Sequence, residues 1–381
     1  MKIFISFLQS KKAHSIPAYS FWEYYIKNGL AEAGHTWQEC TDVDWALGLV
    51  PKNKQEQSLW LAEAWGKTVD HLKTSPADLF LCYLYPSQIS IPAISEIKKM
   101  GIPVVNFFCD NIRLFKKIPV EFSVFDLNWV PEHKALKLYQ KAGYPFINLP
   151  MPMWVSPEFR KLKPELNKQI SFIGSKDIQR QLFFEEVVNL RADIPLDIYG
   201  SGWLDSPAQP TIATPGLVEK SKYQYHFLKE NGLNSYRHKL LQRKALKPLS
   251  NTIRNNIRGN LDFADYVTIT STSMITVGIN RYPSFHFPLN KPDTYSRLRD
   301  IEAPMLGACY LTEYTEGLEE LYDIGKEIEV FKDAQEFIEK VELLTADNSK
   351  RIELKTNGQK KALHEHSITQ SINKIIARLG L

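Results

Sequence analysis

Three short segments in the second half of the chain carry residue types suited to a phosphate or a sugar. Gly174-Ser175-Lys176 follows the apolar run QISFI. Glycine lets backbone approach a phosphate, and serine and lysine can donate hydrogen bonds to one. Tyr199-Gly200-Ser201-Gly202-Trp203 is a glycine-rich turn with aromatic neighbours. In Ser296-Arg297-Leu298-Arg299-Asp300-Ile301-Glu302, Ser296 stands where it could cap a helix whose N-terminus attracts phosphate. Arg297 and Arg299 would add guanidiniums, and Glu302, further into the helix, could accept from ribose hydroxyls. Taken singly, each segment also has a plain structural reading. Gly174 and Gly200 suit strand-ending turns, and Arg299 with Glu302 suits an i,i+3 surface ion pair. The order of the three together points to a nucleotide.

The first half offers candidates for proton transfer. Asp110-Asn111 follows the run PVVNFF after a single residue, Cys109, so their side chains are expected at the end of a strand, facing a cleft between two domains. A polar strand-end turn is the alternative. His14 lies in the loop after the first apolar run. Deprotonating a substrate hydroxyl needs a general base, for which Asp110 and His14 are the candidates. Asp42-Val43-Asp44 spells a DxD metal motif, but three-letter matches are common and a turn is the expected reading.

The elements that must carry these residues alternate along the chain. Apolar runs at Lys2–Leu8, Trp37–Cys40, Asp78–Leu84, Pro103–Phe108, Phe125–Val130 and Phe146–Leu149 read as strands, separated by helical patterns such as Tyr19–Gly34 and Ser58–Lys73. The proline-rich stretch Met151–Lys168 reads as a linker. The alternation restarts with strands at Gln169–Ile173, Leu196–Tyr199, Met274–Ile279, Cys309–Thr312 and Glu329–Phe331, and a helix over Ser296–Leu306. Strand–helix alternation implies open parallel sheets, here two doubly wound α/β domains in series. The expected division is 1–155, 156–358 and a terminal helix over 359–381 that returns to the first domain.

One stretch breaks the rhythm. Between Glu219 and Asn260 stand ten Lys or Arg against two Glu, with Tyr223, Tyr225, Phe227, Tyr236, His226 and His238. It reads as a basic insert over 219–260. A solvated helical face is the plain reading, and an anionic surface or acceptor the functional one. A length of 381 residues suits two domains, and 44% hydrophobic with 24% charged residues suits a globular chain. The four cysteines are far apart, and no run reaches the length of a membrane span. A cytoplasmic protein is expected, peripheral to the inner membrane face if the insert binds there. No nucleic-acid-binding signature is visible, and the net charge of +4 is too mild to suggest one.

The segment Arg299-Asp300-Ile301-Glu302-Ala303-Pro304-Met305-Leu306-Gly307-Ala308 resembles the R-x-F-E-x-x-A-x-G helix of CgeB-like glycosyltransferases, within the glycosyl transferases group 1. Leu311-Thr312-Glu313, Leu318-Glu319-Glu320-Leu321-Tyr322, Gly325-Lys326-Glu327 and His364-Glu365-His366-Ser367 continue the likeness, and Ile170–Gly174 with Ile198-Tyr199-Gly200 and Trp203 opens it. It covers most of 169–381 and only loosely the first domain. The chain departs from the pattern at Ile301, where the family has Phe, at Met305-Leu306-Gly307 in place of alanine-cysteine-glycine, and in the length of the basic insert.

The resemblance implies a GT-B fold, two Rossmann-like domains facing a cleft, with the nucleotide on the C-terminal domain, the acceptor on the N-terminal one, and no metal or other cofactor. By that analogy Glu302 would bind the donor ribose. Ser296, Arg297, Arg299, Gly174, Ser175 and Lys176 would face the phosphates, beside Tyr199, Gly200 and Gly202. Glu313 and Tyr314 would lie near the sugar or base. The implied activity is transfer from a nucleotide-sugar, UDP or GDP first and CMP third, to a glycan, glycolipid or protein. Stereochemistry stays open, and retention is the expectation because donor phosphate can assist. A sugar-nucleotide epimerase or hydrolase, or a non-catalytic nucleotide-binding protein, are the alternatives.

Overall fold

Short runs, most of them apolar and buried on both faces, become the strands of two parallel sheets. The computed structural model describes residues 1–10, 18–51, 53–166, 168–204, 217–245 and 247–381, without the side chains of 18–21, 217–220, 222, 223 and 230. Met1–Ser156 with Lys361–Leu381 form one unit, and Pro157–Lys360 the other.

In the first unit the strands are β1 (Lys2–Ser6), β2 (Thr36–Gln38), β3 (Leu79–Cys82), β4 (Val104–Phe107), β5 (Leu127–Val130) and β6 (Phe146–Asn148), ordered β2-β1-β3-β4-β5-β6. All neighbours pair parallel. The chain leaves β1 for one side and returns to the other, so the crevice beyond β1 and β3 is a topological switch point. The C-terminal helix Ile368–Leu379 belongs to this unit and packs on the helix Ala18–Glu32. Gly29 permits the approach, since a Cβ there would sit 2.0 Å from a methyl of Ile368.

In the second unit the strands are β7 (Ile170–Ile173), β8 (Leu196–Tyr199), β9 (Ile257–Gly259), β10 (Ile275–Gly278), β11 (Tyr310–Glu313) and β12 (Glu329–Phe331), ordered β12-β11-β10-β7-β8-β9. These too are parallel throughout. The unit's first strand lies in the middle, with the switch point between β7 and β10, as in doubly wound nucleotide-binding sheets. The helix Ile178–Leu190 buries Phe183 and Phe184 against Phe172, Phe331 and Phe337.

The sequence pattern missed β9 and extended the basic insert too far. The stretch over 219–260 is not one surface insert. Leu249, Ile253 and Ile257 belong to the core, and β9 pairs with β8 across an irregular register. The cations Arg254 and Arg258 masked this short strand, because it lies at a sheet edge with one residue exposed. What stands outside the core is the helical segment Leu217–Ala245, broken at Gly232, whose φ of 80° and ψ of 169° are not helical. No helix of the described residues is long and apolar enough to cross a membrane.

Candidate functional site

Beyond the ends of β7 and β10 lies a cavity of about 200 Å³. It is lined by Phe172, Gly174, Ser175, Arg180, Asn280, Arg297 and Arg299 among others. That space suits part of a nucleotide rather than a whole nucleotide-sugar, since whole-ligand pockets run to about 300–1,000 Å³.

Two interlocked turns make its floor. The amide of Gly174 donates to the Tyr199 carbonyl at 2.8 Å, and that of Lys176 to the Ser201 carbonyl at 2.8 Å. Trp203 Nε1 donates to the Gly174 carbonyl at 2.7 Å. Gly200 has φ of 125°, and a Cβ there would lie 2.4 Å from the Gly174 carbonyl oxygen. The glycine at 200 is therefore required by the Gly174 turn. Tyr199, Gly200 and Gly202 support the cavity from behind and do not line it, whereas Gly174 and Ser175 do.

Three guanidiniums share the cavity wall. Asp177 caps the helix Ile178–Leu190 through the Arg180 amide and also pairs with Arg180 Nε at 3.4 Å. Arg180 Nη1 donates to the Ser175 carbonyl at 2.6 Å. Burial first, and then the charges of Arg297 and Arg299, push the Arg180 guanidinium down to about 10. Arg297 lies over the Tyr295 ring and gives one hydrogen bond to the Arg281 carbonyl, while its Nε is buried without a partner. Arg299 lies over the Tyr266 ring. Like charges on one wall repel one another, and Asp177 offsets part of that repulsion at Arg180.

Asp300 sets the arrangement. Its fully buried carboxylate accepts from Ser296 Oγ at 2.9 Å, the Arg297 amide at 3.0 Å, Tyr310 OH at 2.9 Å, Thr312 Oγ1 at 2.9 Å and Asn280 Nδ2 at 3.1 Å. One side chain thus ties the ends of β10 and β11 to the arginine turn. Burial raises its carboxyl above the usual range, and these donors oppose the rise. Ser296 does not cap the helix. The helix begins at Arg299, and the Ser296 hydroxyl donates to Asp300.

The remaining expected residues stand elsewhere. Glu302 is buried behind Arg299 and accepts from Tyr266 OH at 2.5 Å. Glu313 is an internal clamp, accepting from the amides of Asn280 and Arg281 and pairing with the Arg281 guanidinium at 2.6 Å. Tyr314 donates to Glu319, under Lys332. Lys176 is half-exposed beside Gly202. Arg180, Asn280 and Tyr310 escaped the sequence reading. The Asp177 cap three residues before Arg180 was the available signal for the first.

In the first unit, Asp110 is half-buried after β4, with Tyr85 OH at 3.5 Å and Arg113 at 3.9 Å. His14 lies outside the described residues. Around Asp110 stand Tyr83, Tyr85, Cys109 and Glu132, with the two tyrosine hydroxyls 2.9 Å apart. Glu132 is 1% exposed and accepts from the amides of Asn111 at 2.7 Å and Ile112 at 3.2 Å. Burial nevertheless pushes its carboxyl up to about 8. At the switch point, Leu8 is buried with φ of 62°, and Gln9 latches the turn by accepting from the Phe7 amide at 2.7 Å. Asp44 of the DxD triplet holds a turn, accepting from the Leu47 amide and Ser10 Oγ. No group of three or more potential metal-binding side chains forms among the described residues.

A family model described as glycosyl transferase-like matches residues 179–377, more than half of the chain. The chain belongs to the glycosyl transferase-like family. No curated protein matches it. Among solved structures, this glycosyl transferase-like chain resembles a glycosyltransferase from Rickettsia africae ESF-5, with 10% identity and a TM-score of 0.58 over 99% of this chain and 96% of that one. It also resembles Anabaena Alr3699/HepE solved in complex with UDP, with 14% identity and a TM-score of 0.57 over 99% and 100%. The sucrose-phosphate synthase (tll1590) from Thermosynechococcus elongatus has 12% identity and a TM-score of 0.56 over 99% and 98%. At these identities the likeness establishes the fold, which is GT-B: two parallel-sheet domains of six strands each, with helices around them.

Proposed function

We propose that the protein transfers a sugar from a nucleoside-diphosphate donor to a hydroxyl acceptor. The observation that carries this reading is the trio Arg180, Arg297 and Arg299 at the switch point of the second unit, with Arg297 Nε buried and unpartnered. Fixed donors around a departing phosphate stabilise the charge that develops as the glycosidic bond breaks. Two phosphate groups are matched in charge and in hydrogen-bond acceptors to a wall that carries three guanidiniums. Uridine is the first choice of base, because the similar Anabaena protein was solved with UDP. GDP follows, and a CMP-sugar, with its single phosphate, fits the trio less well.

In this reading the backbone of Gly174 and Ser175 borders the phosphates, with Lys176 and Ser296 at their margin. Glu302, held by Tyr266, orients the ribose, and Glu313 fixes the turn rather than touching the sugar. Transfer proceeds with retention. The bond from the sugar's anomeric carbon to the phosphate oxygen breaks, and the acceptor oxygen bonds to that carbon on the same face. The acceptor proton passes to the departing diphosphate. The first unit takes the acceptor, a glycan, glycolipid or protein, with Asp110 orienting its hydroxyl and His14 as the second candidate. No metal takes part.

Incubation with UDP-, GDP-, dTDP- and CMP-sugars, with and without candidate acceptors, tests the reading. Acceptor-dependent release of nucleoside diphosphate with the sugar attached to the acceptor is the expected result. Conversion of donor without acceptor would make the protein an epimerase or hydrolase, and binding without turnover would make it a non-catalytic nucleotide-binding protein.

A further inference from the structure

The helix that follows Gly232 is amphipathic in the wrong sense for a protein core. Its inner face is polar: Ser235, Lys239 and Gln242 are 5%, 4% and 7% exposed. Gln242 donates to the Ser284 carbonyl at 2.6 Å, Ser235 Oγ lies 3.2 Å from His286 Nδ1, and Lys239 lies over the Phe227 ring. The outer face carries leucines. Leu233, Leu240 and Leu241 are 72%, 40% and 48% exposed. Leu233, Arg237, Leu240, Leu241 and Lys244 recur at helical spacing along one stripe.

Cations share this stripe and border it. Arg237 and Lys244 stand within it and Arg243 beside it; all three are exposed, and none makes an ion pair among the described residues. The inner contacts fix the helix, so the leucines are held outward.

We propose that this helix lies on the surface of an anionic lipid bilayer. Its leucines would enter the headgroup boundary and its lysines and arginines would meet the phosphates. An apolar stripe interleaved with unpaired cations fits that surface. A soluble polyanion would satisfy the cations and leave the leucines in water. A second copy set face to face would cover the leucines but oppose like charges. The proposal is independent of the donor site, and it places the enzyme where a lipid-linked or membrane-proximal acceptor is at hand.

Flotation of the full chain with phosphatidylcholine vesicles, with and without phosphatidylglycerol, tests it. Binding is expected only where phosphatidylglycerol is present. The triple variant Leu233→Ser/Leu240→Ser/Leu241→Ser and the double variant Arg237→Gln/Lys244→Gln should each weaken partitioning by at least about tenfold. UDP affinity should be unchanged in both variants. Equal binding to neutral vesicles, or none to either, would overturn the proposal. So would full binding by the leucine variant, which would point to a soluble polyanion. Concentration-dependent dimers without vesicles, abolished by the leucine variant, would make a second copy the occupant and overturn it as well.

Discussion

The carboxyl ends of the two sheets share an architecture and differ in chemistry. In the second unit the strand ends gather Arg180, Arg297 and Arg299 around one cavity, organised by the buried carboxylate of Asp300. In the first unit the strand ends beyond β3, β4 and β5 gather Tyr83, Tyr85, Asp110 and Glu132. One sheet end carries guanidiniums and, in the proposed reading, receives the donor's phosphates. The other is built of hydroxyls and carboxyls and, in the same reading, receives the acceptor. Parallel strands bring loops together at their carboxyl ends, and side-chain chemistry then decides what each end receives.

The largest effect should come from the organiser of the cationic end. Asp300→Ala would strand the donors of Asn280, Ser296, Tyr310 and Thr312 in a dry interior. The cost should be about 3–5 kcal/mol, read as a lower urea midpoint for the second unit. An unchanged midpoint would remove Asp300 from its organising role.

Next comes the pH response of the first unit. Glu132 titrates near 4.5 when unfolded and is raised to about 8 when folded, chiefly by burial and in part by the charge of Asp110. The folded state therefore holds the proton more tightly. The stability this supplies is fully present below about pH 4.5 and is lost as pH rises to about 8, by on the order of a few kcal/mol. Glu132→Gln should flatten that slope in melts across this range. A slope that survives the substitution belongs to another group.

The smallest structural effect should be at Asp110, whose carboxylate is held by a long hydrogen bond and a distant arginine. Asp110→Asn should change stability by less than about 0.5 kcal/mol. It should lower turnover by at least about tenfold while leaving donor affinity intact. Turnover equal to wild type would return Asp110 to a strand-end turn.

Much of this was legible in the sequence, for identifiable reasons. Apolar runs such as DLFLCYL and QISFI locate strands because parallel strands are buried on both faces. Gly174, Ser175, Arg297 and Arg299, which line the cavity, can be picked out in the sequence because glycine turns and closely spaced arginines are local patterns. What escaped depends on contacts across distant sequence. Arg180 reaches the cavity from the next helix, and Asp300 gains its role from partners on β10 and β11. Glu313 looks like a ligand-binding residue in the sequence, yet in the fold it clamps Arg281. Strand β9 carries too little apolar character for a periodicity to reveal it.

Calorimetry with UDP on the wild-type chain and on Arg297→Ala tests the central claim most directly. Loss of a charge-assisted contact to a phosphate should weaken affinity by about 1.5–3 kcal/mol, or at least about tenfold in Kd. The melting temperature without ligand should stay the same or rise, because a like charge leaves the neighbourhood of Arg180. Unchanged UDP affinity in Arg297→Ala, with the wild type binding, would contradict the assignment of the donor to this crevice.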